Sequence, residues 1–157
     1  MRCLIVTSFG QEGHGHVTRC LAISQSLDKL KIKNFFLLNK KHKVINQKKI
    51  AMIYDWYKNQ NETLRLIKNF DFVILDSIKI NKNYLLKISK LCNLIYINDY
   101  HRWILNNCIH VDWTLFAQKK VNISEIVDHK FAPLRKPFWI KKKKIIKKKI
   151  KNVFIFF

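Results

Sequence analysis

The sequence predicts an α/β protein built around one mostly parallel β-sheet. Short apolar runs of strand length recur along the chain, and segments with helical spacing lie between them. All three glycines fall at the first junction between a strand and a helix. Strands that alternate with helices favour parallel pairing with right-handed crossovers. The 157 residues suffice for one ordinary domain, and a hydrophobic content of 48% excludes a disordered chain.

The first unit consists of a strand, a glycine loop and a helix. Cys3–Thr7 is a continuous apolar run, typical of a strand buried on both faces of a parallel sheet. The loop contains Gly10, Gly13 and Gly15, and no other loop of the chain contains a glycine. From His16 to Leu30, apolar residues at helical spacing predict an amphipathic helix.

The same alternation continues along the chain. We expect further strands at Asn34–Leu38, Ala51–Tyr54, Asp71–Asp76, Leu94–Ile97 and Val111–Phe116, and helices at Thr63–Phe70 and Ile80–Leu91. Residues 1–139 then form one domain, and 140–151 a lysine-rich linker. Residues 152–157 (NVFIFF) form the first strand of a second domain that is otherwise missing.

The positive charge is uneven. The net charge is +21, but nine lysines lie between Lys136 and Lys151, and residues 1–135 contain 22 basic against 10 acidic residues. The tract IKKKKIIKKKIK favours a solvated linker over a polyanion-binding arm. Abundant Lys, Ile and Asn beside five arginines is typical of an AT-rich coding sequence, so nucleic acid is an unlikely partner.

The location and partners of the protein are predicted from membrane, secretory and metal-binding patterns that the sequence lacks. No apolar stretch approaches the ~20 residues that cross a bilayer, and no secretory signal is recognisable, so we expect a cytoplasmic protein without a membrane partner. The four cysteines form no C-x-x-C pair, which predicts buried free thiols. The scattered histidines show no metal-ligand spacing, so we expect no metal and no cofactor.

Polar residues follow three of the predicted strands. They are the loop from Gly13 to His16 (GHGH), Asp76-Ser77 and Asn98-Asp99. Because ligands of parallel α/β sheets bind at the carboxyl ends of the strands, these residues are candidates for a binding crevice. If the first strand neighbours the strand that ends at Asp76, the imidazoles and Asp76 share that crevice.

His16 is the candidate catalytic residue. A neutral imidazole at a helix start suits a general base that deprotonates water, and the alternative is a purely local hydrogen bond. Gly13 and Gly15 would let a substrate approach the main chain. The loop lacks the third glycine of the dinucleotide pattern and the G-K-[ST] ending of a P-loop.

Charged residues could complete the site. Arg19 lies three residues after His16 on the same helical face and could bind a substrate anion or a structural carboxylate such as Asp76. Asp76 and Asp99 could bind substrate or serve only as strand-end caps and ion-pair partners.

These motifs resemble those of a nucleotide-sugar hydrolase family, the UDP-2,4-diacetamido-2,4,6-trideoxy-β-L-altropyranose hydrolases of pseudaminic acid biosynthesis. Gly13–Ala22 (GHGHVTRCLA) is similar to the family's G-x-G-H-x-x-R-x-L-x-L-A signature. Val73–Ser77, Tyr96–Asp99 and Phe131–Phe138 resemble further family segments in the same order.

The resemblance implies a Rossmann-like amino-terminal half of a two-domain GT-B fold. It implies that His16 activates water against the anomeric carbon of a UDP-activated deoxy amino sugar, releasing UDP without a metal. The chain departs from the family at Ile78, where a Tyr is frequent, and at Asn98, which replaces an acid. A missing second domain would leave the chain weakly active or inactive.

Two other functions remain open on the sequence alone. Similar glycine–histidine loops bind acceptors in GT-B glycosyltransferases, so the chain could be the acceptor-binding domain of such an enzyme. A non-catalytic basic module that binds polyanions through the tract from Lys141 to Lys151 is the alternative from a different class.

Overall fold

A computed structural model describes residues 1–9, 14–99, 102–114, 117 and 124–139. Their strands are β1 (Arg2–Thr7), β2 (Lys33–Leu38), β3 (Ile50–Ile53), β4 (Phe72–Asp76), β5 (Asn93–Ile97), β6 (Ile109–Asp112) and β7 (Glu125–Val127). Their α-helices are α1 (Gly15–Lys29), α2 (Gln60–Ile67) and α3 (Lys82–Ser89). The predicted linker 140–151 and the predicted strand 152–157 lie outside the described residues.

The strands form one sheet in the order β3-β2-β1-β4-β5-β6-β7. Every neighbouring pair is parallel, which confirms the predicted α/β class and gives a Rossmann-like arrangement. The chain first builds outward from β1 to β3 and then returns to the other side of β1. The point where the strand order reverses therefore lies between β1 and β4.

The three central strands end level with one another. Thr7 at the end of β1 is in register with Leu38 of β2 and with Asp76 of β4. Beyond β2, the Asn39 side chain accepts a hydrogen bond from the Phe9 amide and donates one to the Phe9 carbonyl. These bonds hold the chain where it leaves β1 at the carboxyl edge of the sheet.

The sheet is buried on both faces. In β1, Cys3 and Ile5 pack into the cluster beneath α1, whereas Leu4 and Val6 pack into the cluster beneath α2 and α3. This alternation is the two-residue period of a strand, and all four side chains are fully buried. The prediction that the first strand is covered on both faces is confirmed.

Several predicted boundaries are wrong. Helix α2 begins and ends three residues earlier than predicted, because its first three residues, Gln60 to Glu62, are polar and give no apolar periodicity. Strand β6 begins at Ile109 and ends at Asp112, where the aspartate side chain accepts bonds from the amide and hydroxyl of Thr114 and so turns the chain. Residues 115 and 116 of the predicted sixth strand lie outside the described residues.

Two further findings concern the cysteines and the described helices. All four cysteines are free; Cys3, Cys20 and Cys108 are buried and Cys92 is partly buried. Among the helices that the structure describes, none is both long enough and apolar enough to cross a membrane.

Candidate active site

The candidate site begins at the amino-terminal end of α1. Gly15 is the first residue of the helix and His16 the second, whereas Gly13 lies outside the described residues. A Cβ atom placed on Gly15 would meet no atom of a described residue within 4 Å, and Gly15 does not adopt a left-handed conformation. Within the described residues, neither packing nor backbone geometry therefore requires a glycine here.

His16 is paired with Asp76 across the point where the strand order reverses. Its Nδ1 lies 2.6 Å from Asp76 Oδ1, and the Asp76 side chain is fully buried. We assign the proton to Nδ1, because two acceptor atoms do not approach so closely without a hydrogen between them. Nε2 is then the acceptor nitrogen of the ring, and it makes no hydrogen bond to any described residue.

Arg19 holds the same carboxylate beside His16, with its Nη2 3.0 Å from His16 Nδ1. Its Nε and Nη2 atoms donate to the two Asp76 oxygens at 2.5 and 2.6 Å, a bidentate pair. Nη1 donates to Asp99 Oδ2 at 2.5 Å, and the guanidinium carbon lies 5.4 Å from the centre of the Trp113 ring. Arg19 thus connects α1 to the carboxyl ends of β4 and β5.

The charges of this cluster stabilise one another. Burial raises the pKa of the Asp76 carboxyl, but the hydrogen bonds from Arg19 and His16 outweigh it and hold that pKa below its usual value. Burial likewise opposes the charge of Arg19, and its bonds to Asp76 and Asp99 raise its pKa above the usual value. Asp76 is therefore ionised at neutral pH and can stabilise a positive charge on His16.

The structure brings four predicted residues together: His16, Arg19, Asp76 and Asp99. Of the two alternatives for Arg19, the pairing with Asp76 is the one observed. Asp99 accepts the Arg19 bond at Oδ2, while its buried Oδ1 has no hydrogen-bond partner among the described residues. Binding of substrate by these residues stays a prediction.

The neighbouring His14 does not join this cluster. It is exposed, its Nδ1 lies 3.3 Å from His42 Nε2, and its ring stacks on Phe9 at 6.1 Å. The Val44 amide donates to His42 Nδ1, so His42 Nε2 carries the proton and donates to His14. The two rings form a hydrogen-bonded surface pair.

Cys20 lies one turn further along α1 and touches the same carboxylate. Its Sγ donates to Asp76 Oδ2 at 3.6 Å, and its side chain is fully buried. Burial, reinforced by the charge of Asp76, raises its pKa well above the usual value. The thiol is therefore protonated and is no candidate nucleophile.

A cavity of about 240 Å³ opens at the same edge of the sheet, on the face covered by α2 and α3. The lining residues are Ser8, Asn39, Asp55, Trp56, Tyr57, Lys58, Ser77 and Lys79. The Trp56 indole donates to the Thr7 carbonyl at 3.2 Å, which fixes the ring at the end of β1. The sequence does not single out Trp56, and the only signal for it is an aromatic pair within a polar loop.

Comparison with known proteins adds nothing to this geometry. No protein-family model and no curated protein matches the chain. No group of three or more His, Cys, Asp or Glu residues within the described ranges is arranged to hold a metal ion. A functional assignment therefore depends on the contacts of His16, Arg19, Asp76 and Asp99 and on the motif resemblance.

Proposed function

We propose that this chain is the amino-terminal, catalytic-base domain of a UDP-sugar hydrolase of pseudaminic acid biosynthesis. The observation that carries the proposal is the pair of His16 and the buried, ionised Asp76. A carboxylate that accepts the Nδ1 proton orients the imidazole and leaves Nε2 able to take a proton. The motif resemblance supplies the substrate, a UDP-activated 2,4-diacetamido-2,4,6-trideoxy sugar.

In the proposed reaction, water attacks the anomeric carbon. The water oxygen forms a bond to that carbon as His16 Nε2 accepts one of its protons. The bond between the anomeric carbon and the phosphate oxygen breaks, and UDP leaves with the electron pair. Asp76 stabilises the imidazolium, which then releases its proton to solvent.

Arg19 acts as a positioning residue in this mechanism. Its bidentate bond fixes both Asp76 oxygens, so the carboxylate cannot rotate away from His16. Its third bond, to Asp99, ties the arrangement to β5. We expect substitutions of Arg19 to act through the orientation of His16, lowering kcat more than they raise KM.

One feature supports a sugar beside His16. No atom of a described residue lies within 4 Å of a Cβ built on Gly15, which leaves room for a ligand at the main chain there. In the GT-B architecture that the resemblance implies, a second domain supplies most of the UDP contacts.

The test is release of UDP from the sugar nucleotide, measured with the protein in excess over substrate so that slow turnover is detected. We expect His16→Asn to abolish release. His129→Asn is the matched control, since His129 is exposed and pairs only with the neighbouring Asp128. Equal release by wild type and His16→Asn would contradict the mechanism.

The same assay separates the other candidate functions. An added sugar acceptor that becomes glycosylated, while water does not react, would identify a glycosyltransferase. Salt-sensitive binding of nucleic acid that is lost on deletion of residues 141–151 would identify a polyanion-binding module.

A further inference from the structure

The cavity of about 240 Å³ on the face covered by α2 and α3 has no part in the proposed hydrolysis. It lies where β1, β2 and β4 end, because its lining includes Ser8, Asn39 and Ser77, the residues that directly follow these strands. The strand order reverses between β1 and β4, and open α/β sheets bind their ligands at such a point. The cavity is smaller than the ~300–1,000 Å³ of pockets for drug-sized ligands, so it suits a small metabolite.

Two aromatic residues form a fixed wall of this cavity. The Trp56 indole donates to the Thr7 carbonyl at 3.2 Å, and the Trp56 carbonyl accepts from the Tyr84 hydroxyl at 3.1 Å. The Tyr57 hydroxyl accepts from Asn81 Nδ2 at 3.1 Å. Because the protein's own hydrogen bonds hold the wall in place, binding of a ligand costs little rearrangement.

The lining offers a ligand mainly hydrogen-bond donors. The Tyr57 hydroxyl oxygen accepts a side-chain amide, and Oγ of the fully buried Ser77 accepts from the Lys79 main-chain amide at 3.2 Å. Each hydroxyl still has its proton to donate, and neither proton has an acceptor among the described residues. The Asn39 amide, in contrast, is bonded through both its oxygen and its nitrogen to the main chain. Since buried donors are almost always paired in native proteins, acceptor oxygens of a ligand would complete this lining.

The exposed rim of the cavity is positively charged. Lys58 and Lys79 contribute two ammonium groups and Asp55 one carboxylate, which gives a net charge of +1. The Lys58 side chain is 82% exposed, and its Nζ lies 3.8 Å from Asp55 Oδ2. That distance is too long for a hydrogen bond, so the Lys58 ammonium can turn toward an anion in the cavity.

We propose that this cavity binds the oxyanion of a small molecule, a phosphate ester or a carboxylate. The hydroxyls of Ser77 and Tyr57 donate to its oxygens, and the Lys58 ammonium balances its charge at the rim. The site goes beyond the proposed hydrolysis, because it lies on the opposite face of the sheet from His16 and binding needs no turnover.

The experiment is calorimetric titration of the full chain in about 150 mM NaCl, where long-range attraction to the basic surface is screened. One arm uses glycerol 3-phosphate, a second uses glycerate, and neutral glycerol is the blank. The anion that binds more tightly identifies the oxyanion. We expect Ser77→Ala to weaken that binding by about tenfold, the usual effect of losing a hydrogen bond to a charged group. Ser26→Ala is the matched control, because Ser26 is exposed on α1 and bonds to the Ala22 carbonyl.

A second pair of variants tests the charge at the rim. We expect Lys58→Gln to weaken binding by about threefold. Lys87→Gln removes the same charge from the exposed side of α3 and should bind as wild type. Because Lys58 is exposed, this pair decides the question if Ser77→Ala does not fold. Equal binding within either pair of folded variants would overturn the proposal, as would binding of neither anion to wild type.

The variant His16→Asn tests where the anion binds. It should bind the anion as wild type does, because His16 lies on α1 and the cavity lies beneath α2 and α3. A loss as large as that in Ser77→Ala would place the anion at the candidate active site and overturn the second site. UDP release tests the hydrolase separately, so either proposal can fail without the other.

Discussion

Asp76 is the residue on which the electrostatics of the site depend. It is fully buried, it accepts from His16, Arg19 and Cys20, and its charge balances that of Arg19. Removing it leaves a mostly buried guanidinium with two of its three hydrogen bonds to carboxylates gone. We therefore expect the loss of the Asp76 carboxylate to destabilise the folded protein strongly.

We expect Asp76→Asn to lower the free energy of unfolding by about 3–5 kcal/mol, because breaking a buried ion pair leaves one charge uncompensated. Urea denaturation measures the change. Glu62→Gln makes the same chemical replacement on the exposed side of α2 and should stay within about 0.5 kcal/mol of wild type. A loss as small as that of the control would mean that Arg19 finds another partner.

The pKa of Asp76 gives this stability a pH dependence. Its folded-state pKa is lowered from the ordinary value of 3.8, so its contribution is present above that value and is lost as the pH falls through the lowered one. Urea denaturation at about pH 7 and about pH 3 should show the gap between wild type and Asp76→Asn shrinking in acid. An equal gap at both pH values would contradict the shift.

A substitution at Gly15 distinguishes an effect on stability from an effect on substrate contact. Because a Cβ there meets no described residue and the backbone is helical, Gly15→Ala should leave the free energy of unfolding unchanged or raise it by up to about 1 kcal/mol. UDP release should fall by about tenfold or more if substrate contacts the main chain at this point. Unchanged release in a stable variant would mean that no ligand approaches here.

At the scale of the element, helix α3 is stabilised by packing against the sheet more than by its own sequence. The helix has eight residues, fewer than an isolated helix needs in water, and its buried residues Tyr84, Leu85 and Ile88 fasten it to the sheet. We expect Leu85→Ala to cost about 2–5 kcal/mol. Leu30→Ala, at a position 69% exposed, should cost far less, and thermal or urea unfolding compares the two. Similar costs would contradict this account of the packing.

The strands differ in how far the sequence reveals them. β1 and β4 are predicted well, because a strand buried on both faces must be apolar throughout. β7 escapes prediction, because Glu125–Val127 is too short to show a two-residue period and lies at the edge of the sheet. In β6, His110 and Asp112 are buried polar residues, and the apolar and aromatic residues after them shift the predicted strand toward the carboxyl terminus.

The arrangement of the site residues was also predictable in part, because it follows from the parallel strands. Parallel strands bring their carboxyl ends to one edge, so the meeting of His16 with Asp76 follows once β1 neighbours β4. The three-residue spacing of His16 and Arg19 places both on one helical face. Nothing in the sequence indicates that Trp56 bonds to the end of β1, because the conformation of the loop determines that contact.

At the scale of the whole molecule, like charges repel. With a net charge of +21 and only ten acidic residues, favourable pairs are few and self-repulsion opposes the compact state. Raising NaCl from about 50 mM to about 500 mM should therefore raise the thermal midpoint by about 2–4 °C, through screening. Differential scanning calorimetry measures it, and a midpoint that falls with salt would mean that attractive ion pairs dominate.

The buried thiol of Cys20 can report how often α1 separates from the sheet at the candidate site. Its pKa is so far raised that almost no thiolate exists at neutral pH, and its Sγ is covered by α1 and the sheet. An alkylating reagent can therefore reach it only in the rare moments when the first turns of α1 separate from β1 and β4. The rate at which Cys20 is alkylated, compared with that of the partly exposed Cys92, measures how often the candidate site opens.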